Sequence, residues 1–328
     1  MKTRIGIAGY GNLGRGVEFA VAQNPDTELV AVFTRRNPET VKIQTEGVKV
    51  YPIAEAASHK DEIDVLILCG GSAEELPRVT PQRAAFFNVV DSFDRHSDIS
   101  AHFNRVDAAA RQGGHVALVC AGWDPGLFSI QRLMGEALLP EGQSYTFWGR
   151  GVSQGHSEAL RHIRGVKEAR QYTVPDPEAI KAARCGERTG REPARLHRRE
   201  CYIVAEEGAD RARIETEIRT MPGYFDGYET KIQFITEAEM AQQHVALPHG
   251  GHVIRNGATG PHGERGEQIS YSLKLDSNPE FTASVLTAYA RAVYRLYLRG
   301  ERGARSVLDI APADLSPLPA AVQRVRFL

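Results

Sequence analysis

Short apolar runs recur along the first third of the chain, at residues 4–8, 29–33, 65–69, 88–90 and 115–119. Each is rich in Val, Ile, Leu or Ala over most of its length, as expected of a strand buried on both faces. Between them, residues 13–23, 52–59 and 105–111 carry helical spacing. Strand and helix alternating at this interval predict right-handed βαβ units and a doubly wound parallel sheet, an α/β domain over residues 1–122.

Beyond Trp123 the pattern changes. Asp124-Pro125-Gly126 reads as a turn and 128–139 as an amphipathic helix. Strand-like stretches follow at 143–148, 170–174, 200–205, 211–219, 229–234 and 268–275. In Arg213-Ile214-Glu215-Thr216-Glu217-Ile218 apolar and polar residues alternate, which predicts an antiparallel strand with one wet face. A second helix is expected at 158–163. Residues 123–277 therefore read as an α+β domain with a mixed or antiparallel sheet. Asn278-Pro279 breaks the chain before a long helical run, 281–298, in a C-terminal segment of residues 278–328.

The charge balance narrows the partners. Lys and Arg number 40 against 41 Asp and Glu, a net charge of −1. Such a chain has no overall field to hold nucleic acid or an anionic membrane. No apolar run approaches the roughly 18 residues of a membrane span. The start of the chain enters a strand without a signal peptide's layout. The four cysteines, Cys69, Cys120, Cys185 and Cys201, include no CxxC pair. They read as reduced thiols, and the expectation is a cytoplasmic protein without a zinc site.

Gly9-Tyr10-Gly11-Asn12-Leu13-Gly14 is a GxGxxG between an expected strand and an expected helix. In that setting the first glycine makes the turn and the second admits a pyrophosphate. The third packs helix on strand, with the helix's free N–H groups toward the phosphates. The second strand ends in Phe33-Thr34-Arg35-Arg36, with no acid before Glu39. An NAD site places an acid there for the ribose 2′-hydroxyl. Two guanidiniums and a hydroxyl suit a 2′-phosphate instead, so NADP(H) is the expected cofactor. Further cofactor contacts are expected where the later strands end: Cys69-Gly70-Gly71-Ser72, Ser92-Phe93-Asp94 and Ala121-Gly122-Trp123-Asp124-Pro125.

Asp91, Asp94 and Asp124 follow strands on that same side. A carboxylate there receives an ammonium or orients water, or merely caps a turn. Residues 147–157, Phe-Trp-Gly-Arg-Gly-Val-Ser-Gln-Gly-His-Ser, read as a ligand loop opening on a helix N-terminus, a natural carboxylate site. Residues 181–199 hold seven basic residues against two acids and read as a solvated face, from which one arginine aimed inward can grip a carboxylate. Glu239, His244 and Pro248-His249-Gly250-Gly251-His252 match no HExxH spacing, and no metal site is expected.

On these residues the sequence resembles the meso-diaminopimelate dehydrogenases. The most specific pieces are Val90-Asp91-Ser92-Phe93-Asp94, Ala121-Gly122-Trp123-Asp124-Pro125-Gly126, Thr146-Phe147-Trp148-Gly149 and Ser153-Gln154-Gly155-His156-Ser157. Gln171-Tyr172-Thr173, Met221-Pro222-Gly223-Tyr224-Phe225, Pro248-His249-Gly250-Gly251-His252 and Leu275-Asp276-Ser277-Asn278-Pro279 complete them. Two departures stand out: a loop at 256–267 longer than the family's, and Arg150 where the family has proline. The resemblance implies a homodimer whose C-terminal segment returns to the first domain. It also implies reversible, NADP-dependent oxidative deamination of the D-centre of meso-2,6-diaminopimelate. By carry-over, Asp94 and Asp124 meet the reacting amine, with Asp91 nearby, and Trp123 and Trp148 wall the pocket. Ser153, Gln154, Gly155, Thr173, Arg199, His249 and Asn278 hold the carboxylates and the distal L-centre, with Asp276 a neighbour. The general base stays open between a carboxylate and a carboxylate-bound water. Two other readings share the first domain's logic: a reductase of another small diacid, and an NADP(H)-sensing regulator without turnover.

Overall fold

A computed structural model describes residues 2–72, 74–186 and 195–328. In chain order its strands and α-helices are β1 (Thr3–Ala8), α1 (Asn12–Gln23), β2 (Thr27–Thr34), β3 (Lys49–Pro52), β4 (Val65–Leu68), α2 (Glu75–Ala84), β5 (Val89–Asp91), α3 (Ile99–Gly113), β6 (Val116–Leu118) and α4 (Leu127–Leu138). Then follow β7 (Gly142–Trp148), β8 (Gly151–Val152), α5 (Gln154–Arg161), β9 (Val166–Pro175), α6 (Pro177–Arg184), β10 (His197–Ala205), α7 (Arg211–Arg219), β11 (Glu229–Phe234), α8 (Glu237–Gln243), β12 (His249–Thr259) and β13 (Arg265–Leu275). The chain closes with α9 (Asn278–Leu298), β14 (Gly303–Arg305), α10 (Pro312–Leu315) and α11 (Ala320–Phe327). These elements fall into two compact units: Met1–Ile130 with Pro279–Leu328, and Gln131–Asn278.

In the first unit seven parallel strands run in the order β14-β6-β5-β4-β1-β2-β3. This is the expected doubly wound sheet, with the order reversing beside β1. The sequence pattern missed three of its pieces. β3 is a half-exposed edge strand, α2 carries an internal proline, and β14 is three residues long, so none presents a sustained apolar period. α9 is buried along most of its 21 residues and packs against α1, where a Cβ on Gly16 would meet Ala283 at 2.9 Å. Arg291 of α9 pairs with Asp26 at 2.5 Å and bonds Asn24, which holds the Asp26 carboxyl below its usual range.

The second unit holds two small sheets, β11-β10-β9-β8 and β13-β12-β7. All their pairings are antiparallel except β10–β11, so the α+β expectation stands. Two sequence readings are corrected here. Residues 211–219 form the helix α7, not a strand: Asp210 caps it, and Ile214 and Ile218, four apart, are its buried residues. Its charged residues pair along the helix as Arg213–Glu217 and Arg219–Glu215, a spacing that also mimics alternation. Residues 256–267 are no long loop, because β12 and β13 stay paired out to Thr259↔Arg265. The last member of the basic run, Arg199, is a buried β10 residue, in keeping with one arginine aimed inward, while residues 187–194 lie outside the described residues.

Candidate functional site

The glycine-rich turn has the local geometry a bound pyrophosphate needs. Gly9 has φ +98°, and a Cβ there would crowd the Cys69 carbonyl. At Gly14 a Cβ would stand 2.2 Å from the Gly9 carbonyl oxygen, so only glycine lets α1 lie this close to β1. Gly11 has open space where its Cβ would point. It is the N-cap of α1 and brings no capping side chain, and no acid stands in the helix's first turn. The free N–H groups thus face a gap suited to an anion. Tyr10 turns inward to bond Glu18, beyond the loop.

At the end of β2 the Thr34 hydroxyl accepts the Arg36 N–H at 3.1 Å, and the Arg36 guanidinium donates to the Tyr10 carbonyl. Arg36 therefore lies against the glycine-rich turn. Arg35 is well exposed and pairs with Glu75 at 3.0 Å. Sequence order hides this acid, since Glu75 opens α2, far along the chain. Its side chain lies over Gly70, where a Cβ would meet it at 2.7 Å. Cys69 and Cys120 are held well above the usual thiol range, chiefly by burial, and so are not thiolates.

The three aspartates have separate environments. Asp91 is fully buried, and its carboxylate is occupied: Oδ1 accepts the N–H groups of Phe93 and Cys120, and Oδ2 takes the Thr80 hydroxyl and faces His102 Nε2. It has no open side for a substrate, which corrects its assignment as a binding residue. Asp94 is exposed at the mouth of the strand ends. Surrounding protein raises its carboxyl above the usual range, opposed by a hydrogen bond from Ser72. Ser72 also bonds the Ser92 carbonyl, joining two of the expected cofactor loops. Asp124 lies in the tight turn after Gly122, where a Cβ on Gly126 would strike the Gly122 carbonyl oxygen. Trp123 is buried there, edge-on to Phe128.

In the second unit one row of cross-strand neighbours gathers several expected residues. Thr173 pairs with Gly151 on one side and Arg199 on the other. The Arg199 guanidinium donates to the Thr173 hydroxyl at 2.5 Å and lies over the Tyr228 ring, 4.1 Å from its centre. A Cβ on Gly151 would meet the His249 ring at 2.3 Å, so His249 covers the other end of the row. Ser153 caps α5 and its hydroxyl contacts His156 Nδ1 at 2.6 Å, leaving Gln154 and Gly155 exposed on the helix's first turn. The backbone N–H of Trp148 donates to His197 Nε2 at 2.9 Å. Asn278 is anchored through its N–H to the Leu247 carbonyl, and Asp276 is exposed just past β13.

Four buried polar atoms around this row have no partner: Arg199 Nε, both polar atoms of the Gln171 amide, and His156 Nε2. Buried polar groups are normally satisfied, so a cluster of orphans marks where a polar ligand belongs. Gln171, His156 and Tyr228 were not singled out as site residues in the sequence. The alternation along β9 places Gln171 on the Thr173 face and was the signal available. Burial and Arg199 together push His156 down to about 4, so its ring is neutral at ordinary pH. No group of three or more metal-ligating side chains occurs among the described residues.

The family model for the diaminopimelic acid dehydrogenase C-terminal domain matches residues 122–277. The meso-diaminopimelate D-dehydrogenase of Ureibacillus thermosphaericus is 57% identical over 318 residues, 96% of each chain. Among solved structures, the Corynebacterium glutamicum DAP dehydrogenase in complex with DAP superimposes with a TM-score of 0.94 at 46% identity, covering 100% of this chain and 99% of that one. An engineered D-amino acid dehydrogenase bound to NADP+ gives 0.90 at 44% identity, covering 100% of both.

Proposed function

The chain belongs to the meso-diaminopimelate D-dehydrogenase family, and from that premise we propose that it catalyses the reversible, NADP-dependent oxidative deamination of meso-2,6-diaminopimelate at its D-centre. The products are L-2-amino-6-oxopimelate, which cyclises to tetrahydrodipicolinate, and ammonia. The observation that carries the reading is the orphaned polar cluster around the Gly151–Thr173–Arg199 row, a site shaped for a carboxylate. Arg35, Arg36 and the N-terminus of α1 supply the complement to NADP+, which when bound accepts the hydride from the substrate's Cα.

The chain's own residues then do three things. Arg199 and Thr173, with the first turn of α5 and His249, hold carboxylate and distal amine. Asp94 and Asp124 receive the reacting ammonium, whose lone pair must be freed before the C–N bond gains imine character. The raised Asp94 carboxyl suits it to take a proton, directly or through a bound water that afterwards attacks the imine. Trp123 and Trp148 provide apolar walls that limit bulk water.

Homodimer assembly is part of the same proposal, supported by the exposed apolar side chains Leu133, Met134 and Leu138 of α4. No described helix is long and apolar enough to cross a membrane, and the four cysteines are free, which supports a cytoplasmic setting. The function is tested by NADP+ reduction with the meso, LL and DD isomers side by side. Turnover of the meso isomer, with the LL isomer binding but reacting poorly, is expected. Equal rates with LL would overturn the assignment of the D-centre, and no rate with any isomer would overturn the reaction.

A further inference from the structure

β5 ends in a carboxylate where an apolar residue would complete the strand's burial. Asp91 has no exposed surface, yet all of its acceptor positions are filled from four directions. Oδ1 takes the Phe93 N–H at 3.1 Å and the Cys120 N–H at 2.9 Å. Oδ2 takes the Thr80 hydroxyl at 2.8 Å and lies 2.7 Å from His102 Nε2. The Asp91 carbonyl accepts in addition the Ala121 N–H at 2.9 Å. Thr80 comes from α2 and His102 from α3, and the imidazole stacks on Phe93 with 4.2 Å between ring centres.

The two N–H groups on Oδ1 are informative. Phe93 directly precedes Asp94. Cys120 starts the turn that leads through Gly122 and Trp123 to Asp124. Cys120 is the non-glycine residue, among those described, that has φ in the left-handed region, at +59°. Side chains with a Cβ rarely adopt that conformation, so it persists where surrounding bonds impose it. Here the imposing bonds come from one residue: the Cys120 N–H on the Asp91 carboxylate and the Ala121 N–H on the Asp91 carbonyl. The carboxylate, with both oxygens filled, is in turn oriented by groups on two helices, and a buried carboxylate held in this way rigidifies the backbone it bonds.

We propose that Asp91, backed by Thr80 and His102, is a positioning residue that sets the loops carrying Asp94 and Asp124 in register with each other. This rests on the reading that those two aspartates receive the reacting amine. Asp91 touches neither substrate nor cofactor; it acts through the two loops, so that a single buried carboxylate couples the placement of both amine-binding groups.

The test is a set of double-mutant cycles on the intact enzyme, reading kcat at saturating NADP+ and meso-diaminopimelate alongside the thermal midpoint. Asp91→Ala is expected to lower kcat roughly tenfold or more, since small misplacements of reacting groups are costly. Asp91→Asn, which keeps an oxygen acceptor for the two N–H groups, is expected to recover most of that loss. In an Asp94→Asn or Asp124→Asn background the further effect of Asp91→Ala is expected to shrink below about threefold, because residues acting as one unit are not additive. Thr80→Val and His102→Gln leave the carboxylate in place and release its other oxygen. They give the same non-additive pattern more weakly, and decide the matter should Asp91→Ala fold poorly. The inference is overturned if these substitutions lower kcat by the same factor in every background, or lower only the thermal midpoint. If Asp94→Asn and Asp124→Asn each keep near-full turnover, the premise fails, and the inference with it, whatever Asp91 does.

Discussion

Arg35 and Arg36 have different surroundings although they are neighbours. Arg36 is tied to the Tyr10 carbonyl beside the glycine-rich turn, and Arg35 reaches solvent against Glu75. Replacing both with alanine is expected to raise the Michaelis constant for NADP+ by roughly ten- to a hundredfold, the cost of charge-assisted bonds worth about 1.5–3 kcal/mol, and to leave that for NAD+ nearly unchanged. Titrating each variant with both nucleotides checks this; an equal loss for the two would remove the 2′-phosphate assignment. At this scale the sequence was informative wherever the backbone itself makes the site. GxGxxG and Thr34-Arg35-Arg36 could be placed from their position at strand ends, while Thr173 came from the family resemblance alone. Contacts between distant segments were not legible: nothing in the order of residues brings Glu75 to Arg35, or Thr80 and His102 to Asp91. Asp91 misled for a related reason. An acid following a strand looks the same whether it faces the ligand or the core, and only burial separates the two.

Helix α5 shows how an element's start can serve a ligand and carry a cost. Ser153 caps it, Gln154 and Gly155 sit exposed on its first turn, and His156 is tucked beneath, edge-on to Tyr224 and Phe225. Because the native ring is pushed down to about 4, the unfolded chain takes up a proton below its usual value near 6.5 that the folded chain refuses. The contribution of His156 to stability is therefore fully present above about pH 6.5 and is lost as the pH drops toward 4. His156→Gln is expected to remove roughly 2 kcal/mol of the acid-induced loss between about pH 7 and pH 4.5. Urea unfolding of both proteins at the two pH values measures it, and parallel losses would show that His156 is not the group responsible. Element type was legible where one period dominated, as in β1, β4 and α9. It failed at α7, where ion pairs four apart interleave with Ile214 and Ile218 and imitate a period of two.

For the molecule as a whole, apolar runs and loop chemistry identified a parallel sheet with a dinucleotide turn followed by an α+β region, and both are present. The recruitment of β14 to the edge of the first sheet was not legible, because a three-residue strand leaves no pattern and its place is set by pairing with β6. The proposed reading assigns Asp94 and Asp124, in the first unit, to the reacting amine of the substrate, and Arg199 and its neighbours, in the second, to its distal end. Such two-ended binding discriminates between stereoisomers through the transition state and leaves one hydrogen to be transferred. The direct measurement uses meso-diaminopimelate deuterated at the D-centre alone, with NADP+ and the wild-type protein. Deuterium is expected in the reduced nicotinamide, with a primary isotope effect on turnover under conditions where hydride transfer limits the rate. Deuterium retained in the amino acid product while NADP+ is reduced would contradict the account, because hydride would then be leaving from the centre that Arg199 is assigned to hold.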